Sequence, residues 1–174
     1  MIPAGSLDQQ LADLVRSRGG QLLRLAYQLT HERSAAEDVV QEALYQVFRS
    51  LRRRTDHAEY LEAYVRRAVV NEFLKRRSRR SSSEVVTDDF SAETDGVPPV
   101  SDTLPAQDET WRRLALLPDR QRAVLVLRYY EDLPDAEIAV IIGARPATVR
   151  SLAARGLTSL RLVIDAPASS GGSR

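Results

Sequence analysis

The stretch LPDAEIAVIIGARPATVRSLAARGLTSLR, residues 133–161, decides the fold. Its apolar residues recur at helical spacing and stop at Gly143, and a second helical run begins at Pro146, whose fixed φ suits the first turn of a helix. Such a pair of helices either packs as a plain helical hairpin with exposed arginines or presents its second helix to the major groove of DNA. The pattern favours DNA binding but leaves the plain hairpin open.

The second helix of this stretch has two different faces. The face predicted to be buried consists of Val149, Ala153, Gly156 and Leu160. The opposite face is small, polar and basic, as expected where a recognition helix meets base edges and phosphates. The candidate DNA-contacting residues on this face and in the turn before it are Arg145, Ala147, Thr148, Arg150, Ser151, Ala154 and Arg155.

Helical periodicity also runs through residues 7 to about 80. The segment SAAEDVVQEALYQVFRSL has a broad apolar face, and Ser34 with Glu37 three residues later forms a capping-box pattern at its start. A further helix is predicted from about residue 58 to residue 80, and its inward side chains would be Leu61, Tyr64, Val65, Ala68 and Val69. Because no segment alternates convincingly with period two, we predict an all-α fold.

A segment of different composition separates the two helical regions. Residues 81–107 are rich in serine, aspartate, threonine and proline and contain no lysine or arginine. So little apolar surface does not offset the entropy lost on ordering the chain. We therefore predict two small helical domains at 7–80 and 108–164, a flexible acidic linker at 81–107 and a disordered tail at 165–174.

Composition argues against several classes of function. The 174-residue chain is 43% hydrophobic, which suffices for packed cores, and it has no cysteine for disulfides, zinc thiolates or thiol nucleophiles. His31 and His57 lack the spacing of a helical metal site, and no phosphate-binding glycine pattern is present. We expect no catalysis, no metal site and no cofactor. Without a signal-peptide pattern or a long apolar run, we expect a cytoplasmic protein with no membrane insertion.

A second basic surface is expected in YVRRAVVNEFLKRRSRR, residues 64–80. Arginines can follow a nucleic-acid backbone, while tyrosines and an asparagine can stack on and hydrogen-bond to an unpaired base. The same run is also typical of an ordinary solvated face. The candidate residues are Tyr60, Tyr64, Arg67, Asn71, Lys75, Arg76, Arg77 and Arg80.

Three blocks, in this order along the chain, resemble the extracytoplasmic-function (ECF) RNA polymerase sigma factors of an actinobacterial, SigE-like type. AEDVVQEALYQVF, residues 36–48, resembles the helix with which that family binds core polymerase. Residues 64–80 resemble its −10 element helix, and residues 114–161 resemble its −35-binding domain. A single helix-turn-helix is common, whereas the three blocks together are specific to the family.

The resemblance implies partners and a role for each surface. Core RNA polymerase would bind through its β′ clamp helices and its β flap, and the promoter through its −10 and −35 elements. The acidic linker would thread towards the RNA exit channel, and an anti-sigma factor is a further implied partner. The residues that would dock on the clamp helices are Glu37, Asp38, Gln41 and Glu42.

The chain departs from the family pattern at four positions. The family usually has Trp at Tyr64, Asp at Lys75 and a Ser cap at Arg145. A frequent Arg is replaced by Leu152, which either contacts a thymine methyl group or packs against a neighbouring helix, and we favour packing. Promoter sequence is therefore not carried over from relatives.

Three hypotheses follow from the sequence. The leading one is a promoter-specificity subunit of RNA polymerase that is not itself an enzyme. The alternative is a stand-alone helix-turn-helix regulator whose N-terminal domain serves dimerisation or sensing, and a third is a helical adaptor that binds only protein. Asn71 beside the arginines favours the first, because a regulator of duplex DNA needs no pocket for an unpaired base.

Overall fold

The computed structural model describes residues 7–51, 60–82 and 109–165. The chain divides into two compact units, Met1–Leu104 and Pro105–Arg174. Every regular element within the described residues is an α-helix, which confirms the predicted fold class. The first two residues of the predicted linker, 81 and 82, belong instead to the helix that ends at Ser82, and the remainder of the linker, 83–107, lies outside the described residues, as does almost all of the tail at 165–174. No helix in the described part of the chain is long and apolar enough to cross a membrane.

The described part of unit 1 consists of three helices, α1 (Leu7–Thr30), α2 (Arg33–Leu51) and α3 (Leu61–Ser82), and each packs against the other two. Their apolar faces meet in a core whose fully buried side chains include Leu25 and Leu29 of α1, Val39 and Val47 of α2, and Phe73 of α3. Leu25 and Leu29 lie four residues apart, Val39, Ala43 and Val47 follow at intervals of four, and so do Val65, Val69 and Phe73, which is the spacing of the buried face of an amphipathic helix. This core holds the polar faces of α2 and α3 in a fixed relation to each other.

The start of α2 differs from the prediction. The proposed capping box at Ser34 and Glu37 is wrong, since the helix begins at Arg33 and Ala36 N donates to Glu32 O at 3.0 Å. Ser34 Oγ instead donates to Glu32 Oε1 at 2.8 Å. The left-handed residue His31 (φ 57°) ends the preceding turn, so the helix begins earlier than the serine motif suggests.

Unit 2 contains α4 (Glu109–Leu114), α5 (Asp119–Tyr129), α6 (Asp135–Ile142) and α7 (Pro146–Asp165). α7 packs against the other three, and α5 also packs against α6. The contact between α7 and α5 is close at Gly156, where an added β-carbon would lie 3.1 Å from Leu125 Cδ1. A glycine therefore allows the two helices to approach at this point.

One buried charge organises the junction between α4 and α5. Arg122 is only 4% exposed, and its guanidinium donates to the main-chain oxygens of Leu114, Ala115 and Leu117 at 2.7–3.1 Å. Its Nη2 atom also lies 3.6 Å from Asp119 Oδ1. Arg122 thus supplies hydrogen bonds to carbonyl groups at the end of α4 and in the turn that follows, where the regular helical ladder stops, and of these Leu114 O also accepts from Leu117 N at 3.1 Å.

The turn between α6 and α7 depends on Gly143. This residue is the C-cap of α6 in the left-handed conformation (φ 63°, ψ 47°), and nothing lies within 4 Å of the position of an added β-carbon.

We therefore expect Gly143→Ala to lower the free energy of unfolding of unit 2 by about 1 kcal/mol through backbone strain alone. Urea denaturation followed by the fluorescence of the single tryptophan, Trp111 in α4, measures this. Gly143→Asn should lower the free energy of unfolding by less. An alanine variant as stable as wild type would contradict the explanation by backbone strain.

Candidate nucleic-acid and polymerase-binding surfaces

Four polar side chains of α2, three of them acidic, point away from the core of unit 1. Asp38 and Gln41 are exposed and Glu37 and Glu42 are half-buried, whereas Val39, Val40 and Ala43 of the same helix are buried. The four polar residues recur at i, i+1, i+4 and i+5, so they share one side of the helix. Within the chain, Glu37 accepts from Arg33 Nε at 3.1 Å and Glu42 from Gln46 Nε2 at 2.9 Å. These four predicted site residues form one surface, which we call the acidic face.

Behind the acidic face, α2 is linked to α3 by side chains. Glu72 of α3 is 3% exposed, and it accepts from Gln46 Nε2 and from Arg76 Nε at 2.9 Å each. Arg76 also contacts α2. Its Nη1 atom lies 3.6 Å from Asp38 Oδ2, and its Nη2 atom donates to Asp38 O at 3.3 Å. The predicted DNA contact Arg76 is therefore held against a residue of the acidic face in the free chain.

The other predicted DNA contacts of α3 form an exposed stripe. Tyr64, Arg67, Asn71 and Lys75 follow one another at spacings of three or four residues, and all are exposed. The prediction that Tyr64 points inward is wrong: its side chain is 37% exposed, and its hydroxyl lies 3.2 Å from Ser50 Oγ of α2, where both groups remain in reach of solvent. Three further candidates lie off this stripe. Tyr60 is 74% exposed just before the helix, Arg77 is exposed on another side, Arg76 faces α2, and the side chain of Arg80 is outside the described residues.

The recognition face of α7 is open to solvent along its N-terminal half. All seven candidate residues are exposed, while Val149, Leu152 and Ala153 on the opposite side are buried. Leu152 is 8% exposed, which confirms that it packs within unit 2. Arg155 Nε lies over the helix at 3.3 Å from Ser151 O. The exposed side chains include Arg145, Ala147, Thr148, Arg150, Ser151, Ala154 and Arg155.

Two arginines that the sequence did not single out hold α6, the helix before α7, against α5. Arg128 of α5 donates to Asp135 in the first turn of α6, and this hydrogen bond raises the pKa of the Arg128 guanidinium. Arg120 Nη2 donates to Ile142 O, the last residue of α6, at 3.3 Å. The carboxylate at the start of α6 is also where the helix dipole favours negative charge. Together these contacts hold both ends of α6 against α5.

Known proteins match both units. The family described as Sigma-70 region 2 matches residues 14–83, and the family described as Sigma-70, region 4 matches residues 107–160. The RNA polymerase sigma-E factor of Streptomyces coelicolor is 30% identical over 154 residues, covering 87% of this chain and 84% of that protein. The chain is a member of the ECF RNA polymerase sigma factors. The ECF RNA polymerase sigma factor SigE of Mycolicibacterium smegmatis is 34% identical over 159 residues, and this chain spans 59% of its length.

Two solved structures share the fold of this sigma factor. The sigma factor RpoE from Bartonella quintana, solved in complex with the anti-sigma factor NepR, aligns over 92% of this chain and 98% of its own with a TM-score of 0.59 and 18% identity. CnrH, solved in complex with the cytosolic domain of CnrY, aligns over 95% and 94% with a TM-score of 0.62 and 20% identity. At these identities the likeness concerns the fold. The acidic face and the α3 stripe lie in the region 2 match, and the recognition face of α7 lies in the region 4 match.

Proposed function

We propose that this sigma factor binds core RNA polymerase through the acidic face of α2 and directs transcription initiation at promoters contacted by α3 and α7. The observation that carries the proposal is that each exposed surface lies within a part of the chain that matches a sigma-factor region. An exposed acidic face and an exposed basic and aromatic stripe lie in region 2, and an exposed recognition helix lies in region 4. The proposal assigns the chain no catalytic step and no cofactor, and it locates the protein in the cytoplasm.

Binding to polymerase is proposed for the acidic face because its exposed carboxylate and amide groups suit a basic partner surface. Asp38 and Gln41 are exposed side by side on α2, and the buried side of the helix keeps them at fixed positions. Charge complementarity at such an interface increases the rate of association and fixes the register of the two partners. We assign the β′ clamp helices to this face and the β flap to unit 2.

Contact with the −10 element is proposed for the α3 stripe. Asn71 can hydrogen-bond to a base edge, Tyr64 offers an aromatic surface for stacking, and Arg67 and Lys75 supply charge for the phosphates. Removing a base from the duplex stack costs a few kcal/mol, and contacts with the flipped base offset that cost. The stripe thus combines the two kinds of group that melting a promoter requires.

Recognition of the −35 element is proposed for the exposed face of α7. The small residues Ala147 and Ala154 allow the helix to lie deep in the major groove, and Arg150 and Arg155 reach guanine edges or phosphates. Phosphate contacts set the register of the protein on DNA, while base contacts specify the sequence. An anti-sigma factor is a further proposed partner, because the RpoE structure that this fold resembles is a complex with one.

Titration of the labelled chain with purified bacterial core RNA polymerase, followed by fluorescence anisotropy, tests the proposal. We expect saturable binding by wild type and about tenfold weaker binding by an Asp38→Ala, Gln41→Ala variant, which loses two exposed polar contacts. A Gln9→Ala, Asp13→Ala variant is the matched control, since it removes the same side chains from exposed positions on α1. Absence of wild-type binding would favour the stand-alone regulator, and equal weakening by both variants would move the interface away from α2.

A further inference from the structure

Arg76 makes its contacts through two different edges of its guanidinium. The Nε edge donates to Glu72, a carboxylate that is 3% exposed and is also held by Gln46. The Nη edge faces Asp38, with Nη1 at 3.6 Å from the carboxylate and Nη2 at 3.3 Å from the main-chain oxygen. The side chain of Asp38 is 63% exposed. The contact with Glu72 is therefore enclosed, and the contact with Asp38 is open to exchange with solvent and ligands.

The open edge of Arg76 is also the edge that a phosphate would use. Arginine binds phosphate most strongly with two parallel N–H groups of its planar fork. In the free chain both Nη atoms of Arg76 face Asp38. A DNA phosphate and Asp38 therefore compete for the same donors, while Glu72 continues to hold Nε in either case.

We propose that the Asp38–Arg76 pair is an autoinhibitory contact that couples polymerase docking to DNA binding. In the free chain Asp38 holds the Nη edge of Arg76 away from DNA. When a basic group of polymerase engages Asp38, that edge is released for a phosphate. This inference rests on the proposed function, since it takes Asp38 as part of the polymerase surface.

The coupling has a definite sign and a modest size. Each ligand must break the same ion pair, so whichever binds first removes that cost for the second, and the effect is positive and reciprocal. Ion pairs between partly exposed groups are weak, and the expected effect on each affinity is about threefold. Asp38 thereby weakens DNA binding by the free chain without lying on the DNA-binding stripe.

The first experiment measures binding of the full chain to a fluorescein-labelled single-stranded DNA 12-mer of mixed sequence by anisotropy over a range of salt concentrations. We expect Asp38→Asn to tighten binding about threefold more than Glu37→Gln, which removes the same charge from the neighbouring position on α2. The salt dependence of Asp38→Asn should also steepen by up to about 0.7 in log–log slope, the value for one added phosphate contact on single-stranded DNA. A purely structural role for Asp38 would not change that slope.

A double-mutant cycle assigns the effect to Arg76. In the Arg76→Gln background, Asp38→Asn should retain only the general charge effect that Glu37→Gln also gives. If Asp38→Asn has the same effect with and without Arg76, or no more effect than Glu37→Gln, the proposed contact is overturned. Circular dichroism verifies that each variant keeps the helical fold.

The second experiment tests the reciprocal effect on polymerase. Arg76→Gln frees Asp38, so it should tighten binding to core RNA polymerase about threefold relative to Arg77→Gln, which removes the same charge from the next residue. Equal affinities of the two variants would overturn the coupling while leaving the sigma-factor proposal standing. Failure of the wild-type chain to bind core polymerase would instead overturn the proposed function, and the DNA cycle on the free chain would still decide whether Asp38 restrains Arg76.

Discussion

Holoenzyme carrying an Arg150→Ala, Arg155→Ala variant is expected to bind its promoters about a hundredfold more weakly than wild type. Both arginines are exposed on the face of α7 opposite its buried side chains, and a specific arginine contact with a guanine edge is worth about 1–3 kcal/mol. Two such contacts correspond to roughly a hundredfold in affinity. The measurement is a binding titration on genomic fragments that wild-type holoenzyme selects from sheared host DNA, because the promoter sequence is not assumed.

The matched control for this variant is Arg161→Ala. Arg161 is exposed on the same helix, 11 residues beyond Arg150 and thus about 16 Å further along the axis, where it would lie beyond the groove. Alanine favours the helix at each of these positions, so a loss of binding does not arise from helix stability. Loss of promoter affinity in the control but not in the double variant would refute the assignment of the recognition face.

The elements that sequence predicts correctly are those whose burial is set by helical period. In α7 the residues Val149 and Ala153 were expected inside and Arg150 outside, and the structure has them so. The junction at Gly143 and Pro146 was likewise predicted, since a left-handed C-cap and a helix start have their own local residue preferences. These features depend on neighbours within one turn, and an isolated sequence contains that information.

The features that sequence missed depend on contacts between separate helices. Glu72 lies four residues before Arg76, so the sequence allows that pair to be predicted, but it does not indicate that Glu72 is buried or that it accepts a hydrogen bond from Gln46, 26 residues away. The helical spacing of Tyr64 predicts a side chain that points inward, whereas in the structure its hydroxyl lies beside that of Ser50 on α2. The spacing of apolar residues does not predict which polar residues are buried, because a buried polar group depends on a hydrogen-bond partner elsewhere in the chain.

Arg122 is the strongest example of a contact between separate segments that the sequence does not reveal. Its replacement is expected to have the largest effect on stability. Arg122→Met keeps much of the apolar stem but leaves the main-chain oxygens of Leu114, Ala115 and Leu117 without the guanidinium. Leu114 O keeps its hydrogen bond from Leu117 N at 3.1 Å, so the oxygens of Ala115 and Leu117 are the ones that lose their donor. Each buried acceptor left unpaired costs about 1–3 kcal/mol, so we expect the free energy of unfolding of unit 2 to fall by about 3 kcal/mol. Urea denaturation followed by Trp111 fluorescence reports this, because that residue lies in α4.

Two further variants separate the carbonyl contacts from the charge. Arg122→Lys retains the charge but lacks the planar fork that reaches three oxygens, so it should recover only part of the loss. Arg150→Met removes an exposed arginine from the same unit and should change stability by no more than about 0.5 kcal/mol. Since α2 belongs to the other unit, Arg122→Met should still bind core polymerase through the acidic face, although without the contact proposed for unit 2, while transcription that requires the −35 contact falls. An Arg122→Met chain as stable as wild type would mean that these carbonyls find other partners, and that Arg122 does not stabilise the junction between α4 and α5.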